Sequence, residues 1–214
     1  QRGAPVTDLL QTPTRASLPL SVSVPLLPLQ AVQRLWGLVA GKIPLQALKV
    51  LLENDPQANC RRVACIRAMV PPDLELRLEA NGKWSRQEAW ANLEAVAPYA
   101  LRAVEEPLRP ADREALPELR RRFGRAVVLD ESIQQKEDLL RFAAMGGVDV
   151  VNIKVSKCGG LLASLDLARE ARQRGIEIQV GAHVGESPIL SAAGRLLAGA
   201  LPDLTVYEGC SHLL

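Results

Sequence analysis

The chain has 214 residues, enough for one large domain or two small ones. A hydrophobic content of 48% and a charged content of 23% are ordinary for a globular protein with a sizeable core. A net charge of +2 and only 3% aromatic residues argue against nucleic-acid and anionic-membrane partners, and no apolar run reaches the roughly 18 residues of a membrane span.

Along the chain, short β-branched runs alternate with amphipathic stretches. A strand is expected at 18–26, then a helix at 29–40, a strand at 47–52 and a helix at 58–69. Next come a strand at 75–81 and a helix at 86–98, where Ser85 and Glu88 form a capping-box pattern. The alternation continues with a strand at 101–107, a helix at 111–123, a strand at 126–132, a helix at 136–145 and a strand at 148–154. It closes with a helix at 161–174, a strand at 176–182, a helix at 189–201 and a strand at 204–209. Each parallel neighbour needs a crossover, so eight strands alternating with seven helices predict a parallel sheet. The number eight favours an α/β TIM-type (β/α)7β barrel over an open doubly wound sheet, and no G-x-G-x-x-G follows the first strand.

Barrels of this kind carry their chemistry at the C-terminal ends of the strands. Those ends offer Glu79, Glu105, Asp130 and Lys154, at successive spacings of 26, 25 and 24 residues, one β/α unit each. Any one of the acids could cap a helix or pair with an arginine. Three in register would repel one another without a cation among them, and oxygen-only ligands suit a hard ion such as Mg²⁺.

The segments Leu76-Arg77-Leu78-Glu79-Ala80-Asn81-Gly82-Lys83-Trp84-Ser85, Val104-Glu105-Glu106-Pro107, Leu129-Asp130-Glu131-Ser132 and Val151-Asn152-Ile153-Lys154 resemble the muconate-lactonising branch of the enolase superfamily. Gly181-Ala182-His183-Val184-Gly185-Glu186-Ser187 resembles the seventh-strand loop of that branch. The resemblance implies Mg²⁺-dependent removal of a proton next to a carboxylate, through an enolate stabilised on the metal, by a lyase or isomerase of the muconate cycloisomerase and o-succinylbenzoate synthase type. It implies Glu79, Glu105 and Asp130 as metal ligands and Lys154 as the acid, base or cation of the sixth strand. Asn152 is read as a contact to a small carboxylate substrate, and His183 and Glu186, at the mouth after strand seven, either as further such contacts or as loop hydrogen bonding. A lysine in a dry mouth near the ion is expected to have its pKa lowered towards working pH. In the family the barrel is capped by a separate α+β domain. Here the resemblance leaves residues 1–16 as the end of a helix leading into a barrel domain at 17–214, with no cap before it. Surface normally covered by such a cap would favour association into homo-oligomers.

Two departures bear on activity. The first metal ligand of the family is usually aspartate, and Glu79 reaches further by one methylene, about 1.5 Å. The family's Lys-x-Lys of the second strand reads Lys49-Val50-Leu51, with leucine in the place of the base. Lys49 faces inward with Leu51 but lies about 6.6 Å deeper, so it is read either as a partner for buried acids or as a catalytic group. A barrel without turnover is therefore the alternative reading.

The remaining features have plainer readings. The four cysteines show no C-x-x-C spacing and fit free thiols in a reducing cytoplasm, and Gln1-Arg2-Gly3-Ala4-Pro5 lacks a signal-peptide pattern. Two histidines are too few for a His-rich zinc centre. Arg120-Arg121-Arg122 reads as a solvated helix face, and Trp36, Trp84 and Trp90 as gap fillers between helices and barrel. Gly159-Gly160 reads as a tight turn after Lys157, leading into a helix N-terminus able to receive an anion. Ser187 lacks the surroundings of a nucleophile, since G-x-S-x-G is not matched.

Overall fold

A computed structural model of the chain describes residues 15–209. The strands are β1 (Leu20–Val24), β2 (Leu45–Leu51), β3 (Glu75–Glu79), β4 (Leu101–Glu105), β5 (Ala126–Leu129), β6 (Val150–Ile153), β7 (Glu177–Val180) and β8 (Leu204–Tyr207). They form a closed barrel in sequence order. Every neighbouring pair is parallel, and Leu20 pairs with Tyr207 to close the ring. The helices are α1 (Leu29–Val39), α2 (Pro56–Met69), α3 (Arg86–Val96), α4 (Leu116–Phe123), α5 (Lys136–Met145), α6 (Leu161–Gln173) and α7 (Pro188–Gly199). The expected (β/α)7β barrel is the observed architecture.

The main core lies between the strands and the helical ring. Outward residues such as Val50, Leu78, Val104, Leu129, Ile153 and Val180 pack there with Val63, Ile66, Leu93, Leu119 and Phe142, all buried. The barrel interior is lined differently. Ala103, Val128 and Val150 form a small apolar patch of their own. Polar Lys49, Arg77, Asn152 and Gln179 are also buried, and polar groups out of water persist only when paired.

Local chemistry sets the helix starts. Asp55 caps α2, accepting from the backbone N–H groups of Gln57 and Ala58 at 2.9 Å each, and Pro56 opens the helix two residues before the expected start. The capping box at Ser85 and Glu88 is formed. The helix expected at 111–123 is divided into a 3-10 turn, Pro110–Ala115, and α4, because Pro117 has no N–H to continue the ladder. Ser187 accepts from the N–H of Leu190 and caps α7.

Arg120 pairs with Asp149 and Arg122 with Glu94, both guanidinium groups about half exposed, so this stretch is the solvated face expected. Arg122 also lies 4.7 Å over the Trp90 ring. Trp84 is fully buried and donates its Nε1–H to the carbonyl of Glu53 at 3.1 Å. Cys60, Cys65 and Cys158 are free thiols, while Cys210 lies outside the described residues, as does most of segment 1–16. Among the described residues no helix is long and apolar enough to cross a membrane. Around the mouth of the barrel, Leu26, Leu27, Leu162, Val184 and Ile189 are exposed.

Candidate active site

Strand register explains how the charged groups meet. Leu51 stands level with Glu79, and Glu79 with Glu105, whereas Lys49 stands level with Arg77, one inward step deeper. From that depth the Lys49 ammonium reaches Glu79 Oε2 at 3.1 Å, Glu105 Oε1 at 3.1 Å and Glu208 Oε2 at 2.7 Å. Three carboxylates on β3, on β4 and just after β8 thus face one buried cation.

Asp130, directly after β5, forms the centre of a second group. Lys154 pairs with its Oδ2, and Lys157 donates to its Oδ1 at 2.8 Å and to the carbonyl of Asn152 at 2.8 Å. The Asn152 amide joins the two groups, donating to Glu105 Oε1 at 2.8 Å and to Asp130 Oδ2 at 3.2 Å. Gln179 donates to Glu105 Oε2 at 3.0 Å and accepts from Arg77 at 2.9 Å. Every oxygen of Glu105 is therefore engaged.

The loops are held by a further acid. Glu106 accepts the N–H of Asp130 at 2.9 Å and that of Ser132 at 3.3 Å, and pairs with Arg113 at 3.2 Å. Its backbone lies at φ 39°, and that of Asn81, whose N–H binds Glu79 Oε1 at 2.9 Å, at φ 54°. Left-handed non-glycine residues of this kind cluster at functional sites.

The electrostatics divide the acids. Burial works against the charge of Glu105, yet Lys49, Asn152 and Gln179 hold its carboxyl down to about 2. Burial, with Glu105 beside it, pushes Glu79 well above the usual carboxylate range against the pull of Lys49. Burial and Glu105 likewise raise Glu208. Lys49 stays well above its ordinary value: burial opposes its charge, and Glu105, Glu208 and Glu79 outweigh it. Lys154 also lies above its ordinary value, because Asp130 outweighs burial. As the side chains stand, the charge nearest to Lys154 is the Asp130 carboxylate, whereas the lowered value is the one expected beside a bound ion.

Of the residues singled out in the sequence, Lys49, Glu79, Glu105, Asp130, Asn152 and Lys154 are brought together. Among the described residues no set of three acidic, histidine or cysteine side chains stands in an arrangement that could hold a metal ion. His183 and Glu186 lie apart on the rim. There Ser156 Oγ is 2.9 Å from His183 Nδ1, and Glu186 accepts the N–H of His183 at 2.9 Å. His183 is half exposed, and its partners are loop hydrogen bonds. Glu208, Gln179, Lys157, Glu106 and Arg77 belong to the site as well. Arg77 and Gln179 carry a signal in the sequence, a polar residue at an inward strand position, whereas Glu106, Lys157 and Glu208 lie beyond the strand ends.

Gly181, after β7, leaves room for Asn152: a Cβ there would stand 2.5 Å from Asn152 Oδ1. Gly181→Ala is expected to push that amide off Glu105 and Asp130 and to cost about 1–3 kcal/mol of stability, read by urea denaturation. A variant as stable as the parent would show that the loop yields instead.

Known proteins share the sequence pattern and the fold. Residues 31–213 match the family model described as enolase C-terminal domain-like. A hydrophobic dipeptide epimerase of Enterococcus faecalis is 33% identical over 77% of this chain and 46% of its own length. An o-succinylbenzoate synthase of Thermobifida fusca is 32% identical over 94% of this chain and 61% of its own length. The chain thus spans about half of the length of these relatives. The crystal structure of the Enterococcus faecalis dipeptide epimerase complexed with Mg and the dipeptide L-Leu-L-Tyr aligns with TM-score 0.85 at 28% identity, covering 95% of this chain and 57% of that one. The chain belongs to the enolase C-terminal domain-like family, within the enolase superfamily's mandelate racemase and muconate lactonizing enzyme group.

Proposed function

We propose that the barrel is the reaction domain of a cytoplasmic Mg²⁺-dependent lyase or isomerase. Its substrate is a small carboxylate, from which it takes the proton on the carbon next to that group. The observation that carries this reading is the meeting of Glu79, Glu105, Asp130 and Lys154 at one mouth, joined by Asn152.

The donors suit the ion in their chemistry. Three carboxylates stand on neighbouring strand ends, and two further buried oxygens of the same mouth, Asn152 Oδ1 and Glu208 Oε1, have no partner. Glu79, Glu105 and Asp130 would hold the metal, and Mg²⁺ bound there would act as a Lewis acid towards the substrate carboxylate. As the side chains stand, Lys49 lies between Glu79 and Glu105.

Lys154 is the group placed to move the proton. Strands β2 and β6 lie opposite each other in the ring, and β2 presents Leu51 at the level of Glu79. Among the described residues the face opposite Lys154 therefore has leucine, not lysine, at the level of Glu79. That favours a reaction in which one side chain handles the proton, as in elimination or cycloisomerisation, over a racemisation between two opposed lysines. Asn152, Gln179 and Arg77 keep the acids oriented, and His183 and Glu186 on the rim are the contacts nearest to an entering substrate.

Calorimetric titration with Mg²⁺, of the chain and of a Glu105→Ala, Asp130→Ala double variant, tests the reading. Saturable binding by the parent at millimolar concentration or below, lost in the variant, is expected. Absence of binding in both would overturn it and leave a barrel without turnover as the better account.

A further inference from the structure

The lysine of β2 sits one step below the position at which it would meet a substrate, and its surroundings give it another task. The Lys49 side chain is 8% exposed, and its ammonium contacts three carboxylates at 3.1, 3.1 and 2.7 Å. Two of the contacted oxygens, Glu79 Oε2 and Glu105 Oε1, belong to proposed metal ligands. Gln179, itself held by Arg77, takes the other oxygen of Glu105 and so keeps Oε1 turned towards Lys49.

We infer that Lys49 is a built-in counter-ion that competes with a divalent cation for Glu79 and Glu105, so that metal affinity is set against an ammonium already in place. The inference rests on Glu79, Glu105 and Asp130 being the metal ligands. An ammonium and a divalent ion drawn to the same oxygens stand within a few ångströms of each other, where repulsion in a poorly solvated mouth is strong. Lys49 cannot simply withdraw. Its shortest contact is to Glu208, which anchors it in the mouth whichever way Glu79 and Glu105 turn. Leu51, level with Glu79, brings no charge of its own. Among the described residues Lys49 is the cation that contacts all three acids directly, and a buried charge deprived of its partner is costly.

The test is a calorimetric titration of Mg²⁺ into the full chain, into Lys49→Met and into Lys49→Gln, with circular dichroism to establish that each is folded. The folded variants are expected to bind Mg²⁺ at least about tenfold more tightly than the parent. They should also show a larger rise in Tm at a fixed Mg²⁺ concentration. Lys49→Gln keeps a hydrogen-bond donor among the acids and decides the matter if Lys49→Met does not fold. Unchanged or weaker affinity in a folded variant overturns the counter-ion role while leaving the metal ligands standing. No saturable binding in any of the three proteins removes the metal site itself, and the competition with it.

Discussion

Lys154→Met is expected to slow removal of the substrate's proton by about 10²- to 10⁴-fold, the usual contribution of a positioned acid or base. The measurement is exchange of the proton next to the carboxylate for deuterium, followed by NMR over a panel of small carboxylic acids in the presence of Mg²⁺. Exchange needs only the proton-transfer step and does not require the final product to be known. Lys154→Arg separates the two roles open to the side chain. Arginine keeps the charge beside Asp130 but gives up its proton far less readily. If Arg retains most of the rate and Met does not, the ammonium acts as a cation beside developing charge. If both variants fall together, Lys154 transfers the proton. A Lys154→Met variant within about threefold of the parent would show that another group does the work.

Strands buried on both faces have to read as nearly continuous apolar runs, so a carboxylate or ammonium at their ends is conspicuous. Glu79, Glu105, Asp130 and Lys154 stood out for that reason, and the barrel followed from the same alternation. Glu208 did not. It falls inside the stretch read as the eighth strand, with no spacing rule pointing to it, and its importance comes from Lys49, which lies across the ring closure in β2. Which lysine faces which acid is a tertiary property, decided by side-chain reach over a few ångströms. For the same cause the sequence shows a lysine among acids but not that Asp130 is the immediate neighbour of Lys154. The break at Pro117 and the start at Pro56 were not anticipated either, although the missing N–H of each proline and the Asp-Pro pair carry them.

Glu105→Gln is expected to destabilise the metal-free protein by about 3 kcal/mol at neutral pH, whereas Glu79→Gln should leave it within about 1 kcal/mol of the parent. Both acids are buried and both touch Lys49, yet their charges differ in standing. Glu105 is ionised and fully engaged, its carboxyl held at about 2 against burial by Lys49, Asn152 and Gln179. A carboxyl lowered on folding contributes stability above its ordinary value, near 4.5, and loses it as the pH falls towards about 2. The gap between the parent and Glu105→Gln should therefore be widest above about pH 5 and close through that acid window. Glu79 has the opposite sign. Burial and Glu105 raise its carboxyl, so the fold favours its protonated form, and ionising it as the pH rises works against the fold. A neutral amide at 79 removes that opposition, and Glu79→Gln should gain on the parent as the pH increases. Urea denaturation in the presence of a chelator, from pH 3 to pH 9, reads both trends. Equal losses for the two variants at neutral pH would mean that Lys49 draws on the two carboxylates alike and that the division of charge within the mouth is wrong.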